Sequence, residues 1–481
     1  MTTATGVAPH PIYLAGRWVD SPDPLVVERT GYPGETAGST FNATPEQYDE
    51  AVDAAVAAFE VTRRMPAYER ARILHAISVG IRKRRDELGA IIAVEAGKPI
   101  RDALTEVDRA TITFRLGAEE AERLTGEVIP LDIAPASRGR VGVVRRFPIG
   151  PIAGISPFNF PLNLAAHKVA PAIASGNPIV LKPPSKDPLV MLTVAEIIDA
   201  AGAPSGSVSI LPMTRELGDR MVEDERFALL SFTGSPLVGW RMKARAGKKK
   251  VVLELGGNAG AIVDATADLD WAARRCLIGS FAYAGQVCIS VQRLYVHEDV
   301  RDRFLERFVA GARALVVGDP LDARTDVGPM VDAAAVLRTR TWIDEAVGRG
   351  AHVLLGGEPD GAFFPPTILE DVPRDAKVCT EEAFAPLVVL ETFRDFRDAI
   401  ARVNDSRFGL QCGVFTNDLS HAWYSFDELH VGGVIVNDVP TYRVDHMPYG
   451  GVKDSGQGRE GLRYAIEDMT ELRTMVYAQP G

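Results

Sequence analysis

The chain has 481 residues, 46% of them hydrophobic and 24% charged, the ordinary make-up of a globular protein of two to four domains with ample core. Its net charge of −11 argues against nucleic acid as a partner, because phosphate binding needs basic patches. Four scattered cysteines, Cys276, Cys288, Cys379 and Cys412, show neither CxxC pairs nor framework spacing, so reduced cytoplasmic thiols and no metal site are expected.

Residues 1–11 lack the charged and apolar regions of a signal peptide, and no apolar run reaches the roughly 18 residues of a membrane span. Neither export nor a membrane is expected. Residues 12–40 read as short strands and turns. Thr44 and Gln47 form a capping-box pattern, and amphipathic helices are expected over 51–61, 70–87 and 100–124. Residues 140–147 read as an extended strand with Arg145 and Arg146 near its end. Lys248-Lys249-Lys250 reads as the solvated start of a strand. Strands at 152–156, 178–182, 207–211 and 229–232 alternate with helices at 162–175, 190–201 and 217–223. That order predicts an α/β fold with a parallel, doubly wound sheet. A second alternating series with strands at 261–263, 293–296 and 387–390 predicts a second α/β domain. Residues 471–477 alternate like a terminal strand.

One stretch carries a nucleophile, Phe281-Ala282-Tyr283-Ala284-Gly285-Gln286-Val287-Cys288. A thiolate forms covalent intermediates readily, although a buried cysteine is also a common small hydrophobe. Upstream lie Leu253-Glu254-Leu255-Gly256-Gly257-Asn258 and Phe158-Asn159-Phe160-Pro161. A thiol, a carboxylate and an amide are the parts that take an aldehyde to an acid through a thioester. Two strand ends could hold a dinucleotide. One is Lys182-Pro183-Pro184-Ser185-Lys186, and the other is Thr233-Gly234-Ser235, an ordinary turn or a pyrophosphate seat at a helix start. The single GxGxxG, Gly456 to Gly461, follows a turn-rich loop and not a strand, so it is set aside as a dinucleotide fingerprint.

Together these stretches resemble the aldehyde dehydrogenase superfamily from about residue 13 to 477. The lactaldehyde and non-phosphorylating glyceraldehyde-3-phosphate dehydrogenase branch is the nearest in pattern. The resemblance implies two doubly wound parallel-sheet domains plus a small β oligomerisation arm. The dinucleotide-binding domain would take 1–124 and 149–256, the catalytic domain 257–464, and the arm 125–148 and 465–481. It implies Cys288 as nucleophile, Glu254 as general base, Asn159 as oxyanion donor and Lys168 in proton relay. It implies NAD or NADP held by Ser156, Phe158, Lys182, Ser185, Lys186, Gly218, Thr233, Gly234, Ser235, Leu255, Gly256, Glu382 and Phe384. Many NAD-specific members carry Glu where this chain has Ser185, and Ser185 beside Lys186 leaves NADP acceptable. Some members that bind phosphorylated aldehydes carry Arg where this chain has Val287. Arg115 and Arg443 are the arginines expected to meet a polar or anionic aldehyde, with a surface salt bridge as the alternative for each. A homodimer or homotetramer is implied. Transfer of the acyl group to coenzyme A, or thiol hydrolysis without a cofactor, are the competing chemistries. Members of the first kind typically lack the glutamate that Glu254 matches, and the second would not need the dinucleotide stretches.

Overall fold

In a computed structural model, residues 8–478 are described; residues 1–7 of the expected first domain and 479–481 of the expected arm lie outside them. The βα alternation becomes a parallel sheet of β1 (Ile152–Ile155), β2 (Ile179–Lys182), β3 (Val208–Ile210), β4 (Leu229–Thr233) and β5 (Lys250–Glu254). Their order is β3-β2-β1-β4-β5. β1 and β2 are buried along their whole length, which is why they read as unbroken apolar runs: helices cover both faces. The winding direction reverses between β1 and β4, and that reversal opens a crevice at their carboxyl ends.

Five helices matter for the crevice: α1 (Ile100–Arg123), α2 (Asn163–Ser175), α3 (Leu189–Ala200), α4 (Arg215–Glu223) and α5 (Pro236–Arg245). All of α2 is buried, and it stops at Gly176, whose φ of 86° is the left-handed end that glycine tolerates. Phe114 of α1, Val169 of α2 and Leu181 of β2 belong to one apolar core on this face of the sheet. The Thr44–Gln47 capping box forms as read, with both reciprocal bonds present. The helix expected over 70–87 is instead two, Ala67–Lys83 and Arg85–Glu95, with Arg84 at φ −103°, ψ 23° between them. Arg82 and Lys83 end the first and Asp86 and Glu87 open the second, so both helix dipoles are complemented at the break.

The second sheet contains β6 (Ala259–Val263), β7 (Val291–His297), β8 (Thr367–Glu370), β9 (Leu387–Phe393), β10 (Gln411–Phe415) and β11 (Gly433–Val436). They lie parallel in the order β8-β9-β7-β6-β10-β11. The sequence reading stopped at 390 and so missed β10 and β11, and it missed the four-residue β8. These strands are short, and Gly413 and Gly433 interrupt their β-forming pattern. A separate antiparallel sheet joins Glu127–Pro130, Arg140–Pro148 and Thr470–Ala478. Leu472, Met475, Val476 and Tyr477 of its last strand are exposed.

Candidate active site

Cys288 lies in the loop that enters β7. That loop is held in an uncommon shape: Tyr283, Ala284 and Gly285 have φ of 50°, 53° and 66° in succession. A Cβ on Gly285 would lie 2.1 Å from the carbonyl oxygen of Ala385, so only glycine fits there. Non-glycine residues in this region cost about 1–3 kcal/mol each, and surrounding bonds hold them. The Tyr283 hydroxyl donates to Ala96 O at 2.7 Å. The Gln286 side chain donates to Pro329 O at 3.3 Å and accepts from Val331 N at 2.8 Å. Cys288 itself is half-buried, and its Sγ is 3.0 Å from the Tyr449 hydroxyl. Burial pushes the thiol up to about 12, and the Tyr449 hydrogen bond works against that rise.

The carboxyl ends of β1 and β5 bring the other two expected groups to this loop. Asn159, 4% exposed, donates its side-chain amide to Gln286 O at 3.1 Å. Glu254 ends β5, and neither of its buried carboxyl oxygens has a hydrogen-bond partner. Burial, then the nearby Glu460 charge, hold that carboxyl well above the usual range. Lys168 of α2 donates to Thr233 Oγ1 at 2.7 Å and Ser231 Oγ at 3.1 Å, with Glu460 Oε1 at 3.7 Å. Burial lowers its pKa.

Behind the nucleophile lies a buried charge network that the sequence reading missed. The Arg443 guanidinium stacks 3.8 Å from the Tyr449 ring centroid, donates to Glu460 at 2.8 Å and lies 3.1 Å from His167 Nε2. His167 Nε2 in turn lies 2.9 Å from Asp445. Arg109 of α1 grips the same Asp445 with two bonds of 3.2 and 2.7 Å. These contacts change the reading of the two expected substrate arginines. Arg443 bonds protein partners through one terminal nitrogen, while its Nε is buried without a hydrogen-bond partner. Arg115 is half exposed, pairs with Glu119 one turn along α1, and is not among the residues lining the cleft at Cys288. Six helical residues separate it from Arg109, a rotation of about 240°, which turns it to solvent.

That cleft has a volume of about 1120 Å³ and runs from Cys288, Asn159 and Glu254 to the start of α5. Of the residues expected to hold a dinucleotide, Ser156, Phe158, Thr233, Gly234, Ser235, Leu255, Gly256, Glu382 and Phe384 line it. Phe158 and Phe384 meet edge to face at 5.8 Å. Glu382 accepts from Gly257 N at 2.8 Å, and burial raises its carboxyl to about 7. The residues fit a dinucleotide. Ser235 precedes α5 without a side-chain capping bond, so the leading N–H groups of that helix stay available to a pyrophosphate. Lys182, Ser185 and Gly218 are not among the residues lining the cleft. A Cβ on Gly218 would lie 2.8 Å from Lys182 Cδ, so the glycine makes room for the lysine stem. Lys186 pairs at 2.5 Å with Asp332, a carboxylate that lines the cleft and caps helix Ala333–Gly348.

Residues 18–475 match the aldehyde dehydrogenase family. The chain is 43% identical over 477 residues to a 3-sulfolactaldehyde dehydrogenase of Priestia aryabhattai, with 99% of each chain covered. The fold matches aldehyde dehydrogenase 21 of Physcomitrella patens, solved with the reaction product succinate, at a TM-score of 0.96 and 48% identity, covering 98% of this chain and 99% of that one. It matches the glyceraldehyde-3-phosphate dehydrogenase GapN of Methanocaldococcus jannaschii, solved with NADP, at a TM-score of 0.90 and 41% identity, covering 95% and 99%.

Proposed function

The chain belongs to the aldehyde dehydrogenase family, and on that premise we propose that it oxidises a short polar or anionic aldehyde to its carboxylic acid with NAD or NADP. One observation carries the reading: a half-buried cysteine, an oxyanion donor and a buried carboxyl meet at one end of a cleft built for a dinucleotide. The short, charged compounds named for the three similar proteins support the substrate class.

The chemistry follows from the chain's own groups. Cys288 Sγ, once deprotonated, adds to the carbonyl carbon. The Asn159 amide and the Cys288 backbone N–H stabilise the oxyanion, each donor worth roughly 3–4 kcal/mol in comparable sites. A dinucleotide held by the cleft residues would supply the hydride acceptor. A thioester on Cys288 remains, and Glu254, after losing its proton, takes one from the attacking water. Free acid leaves. The buried, unpartnered Glu254 carboxyl favours this hydrolysis over acyl transfer to coenzyme A. Lys168, between Glu460 and Thr233, would carry the proton away.

The exposed apolar side chains of strand Thr470–Ala478 support a homodimer or homotetramer, which light scattering would size; a monomeric mass would remove that part of the reading. Among the described residues no helix is long and apolar enough to cross a membrane, and the four unpaired cysteines fit a reducing cytoplasm. The whole proposal is tested by a panel of lactaldehyde, succinic semialdehyde and propanal assayed with NAD and NADP. Reduction of neither cofactor by any member would refute it.

A further inference from the structure

We propose that Lys98 is a positioning residue: its buried ammonium binds one aromatic ring from the oxyanion-donor loop and one from the nucleophile loop, and so holds Asn159 in register with Cys288. The inference rests on the roles given to Asn159 and Cys288 above and adds a residue that the sequence reading passed over.

Lys98 stands in the turn between helix Arg85–Glu95 and α1, and it is 1% exposed. It is not among the residues lining the cleft, so it acts through its neighbours. Gly97, just before it, has φ of 66°, and a Cβ there would lie 2.7 Å from Thr30 Cγ2. That tight turn fixes where the lysine stem starts. The ammonium lies 3.7 Å from the Phe160 ring centroid and 4.6 Å from that of Tyr283. Phe160 follows Asn159 in the chain, and Tyr283 begins the left-handed run of the nucleophile loop. The two rings meet edge to face at 6.5 Å. Glu106 of α1 pairs with the same ammonium, and its other oxygen accepts from Leu162 N at 2.9 Å and Asn163 N at 3.0 Å. Lys98 therefore reaches the Asn159 loop twice, through the Phe160 ring and through Glu106 to the start of α2.

Among the described residues a single hydrogen bond joins the two loops directly, from the Asn159 amide to Gln286 O. One bond leaves the amide free to swing about it, and an oxyanion donor works only where it meets the developing charge. The shared ammonium adds a second point of attachment. A cation over a ring face is held more strongly once water is removed, and neither Lys98 nor Glu106 is open to water. Well-packed apolar side chains often serve stability as well as a buried ion pair does, so the distinctive effect of this pair is the placement of the two loops.

The test is a double-mutant cycle on the full-length enzyme, read as the single-turnover rate of cofactor reduction with enzyme in excess over succinic semialdehyde. Lys98→Met combined with Glu106→Gln removes both charges and keeps an acceptor for α2. It should slow that rate about ten- to a hundredfold, the scale set by a misplacement of about 1 Å. Cofactor affinity and alkylation of Cys288 by iodoacetamide should stay within about twofold, because neither uses the oxyanion donor. Asn159→Ala alone should cost about a hundred- to a thousandfold. Added to the charge-free pair it should cost much less, because a misplaced donor has little left to lose. Phe160→Leu keeps the ion pair and removes only the ring, and it should show the same shortfall in smaller measure. It decides the matter if the charge-free pair does not unfold cooperatively. Losses that multiply in full in both cycles overturn the proposal, as does Cys288 alkylation slowed as much as cofactor reduction, the mark of general damage. A wild type that reduces neither NAD nor NADP refutes instead the reading of the whole site.

Discussion

The Tyr449 hydroxyl lies 3.0 Å from the Cys288 sulfur, and the Arg443 guanidinium lies against the back of the same tyrosine ring. The tyrosine thus relays a positive field to the nucleophile. Both the hydroxyl and the Arg443 charge favour the thiolate, against the burial that disfavours it. Tyr449→Phe should keep the ring stack and lose the hydrogen bond. One such bond is worth about 0.5–1.5 kcal/mol, so kcat/KM should fall roughly three- to tenfold. Its rise with pH should also move to higher pH, because the thiol has lost a group that stabilises its anion. An unchanged pH profile would remove Tyr449 from this role.

Glu254 acts as a base only when ionised, and its carboxyl is held well above the usual range. Hydrolysis of the thioester should therefore speed up as pH rises through that raised value. Glu254→Gln should give a burst of reduced cofactor and then slow turnover with this rise abolished. A mutant that keeps the wild-type steady state would place the base elsewhere.

The two arginines should part company. Arg115→Leu removes an exposed pair with Glu119, so the ratio of kcat/KM for succinic semialdehyde over propanal should stay as in wild type. Arg443→Leu leaves Glu460 buried without its partner, a defect that costs about 3–5 kcal/mol. It should lower the urea midpoint clearly and weaken oxidation of both aldehydes. A selective loss on the charged aldehyde in Arg115→Leu would restore that arginine to the substrate.

Gly285→Ala meets two obstacles, a left-handed backbone and the Ala385 carbonyl at 2.1 Å from the new Cβ. The nucleophile loop must shift, so activity should drop by more than about tenfold, as misplacement of a reacting group does, while cofactor binding at the far end of the cleft persists. Activity near wild type would show that the loop has slack.

That Cys288, Glu254 and Asn159 share one cleft was legible in part, because each lies at a strand end or glycine turn whose local residues have little other purpose. The parallel sheets were readable wherever strands were long apolar runs, as in β1 and β2. Tyr449, Glu460, Asp445 and Arg109 were not. Their bonds join α1 to the loop after β11, and a pairing across such a span leaves no periodic trace in either segment. Arg109 and Arg115 sit on one amphipathic helix, and only the position of Asp445 shows which of them faces the network. The Lys186–Asp332 pair was illegible in the same way, since Asp332 lies far along the chain.

The central claim is that Cys288 carries the acyl group. Glu254→Gln enzyme mixed with succinic semialdehyde and cofactor, quenched in acid during the burst and digested, should yield the Cys288 peptide heavier by one succinyl group. The adduct should be absent when cofactor is left out. Cofactor reduction without any acyl mass on Cys288, or with the mass on Cys276, Cys379 or Cys412, would contradict the account.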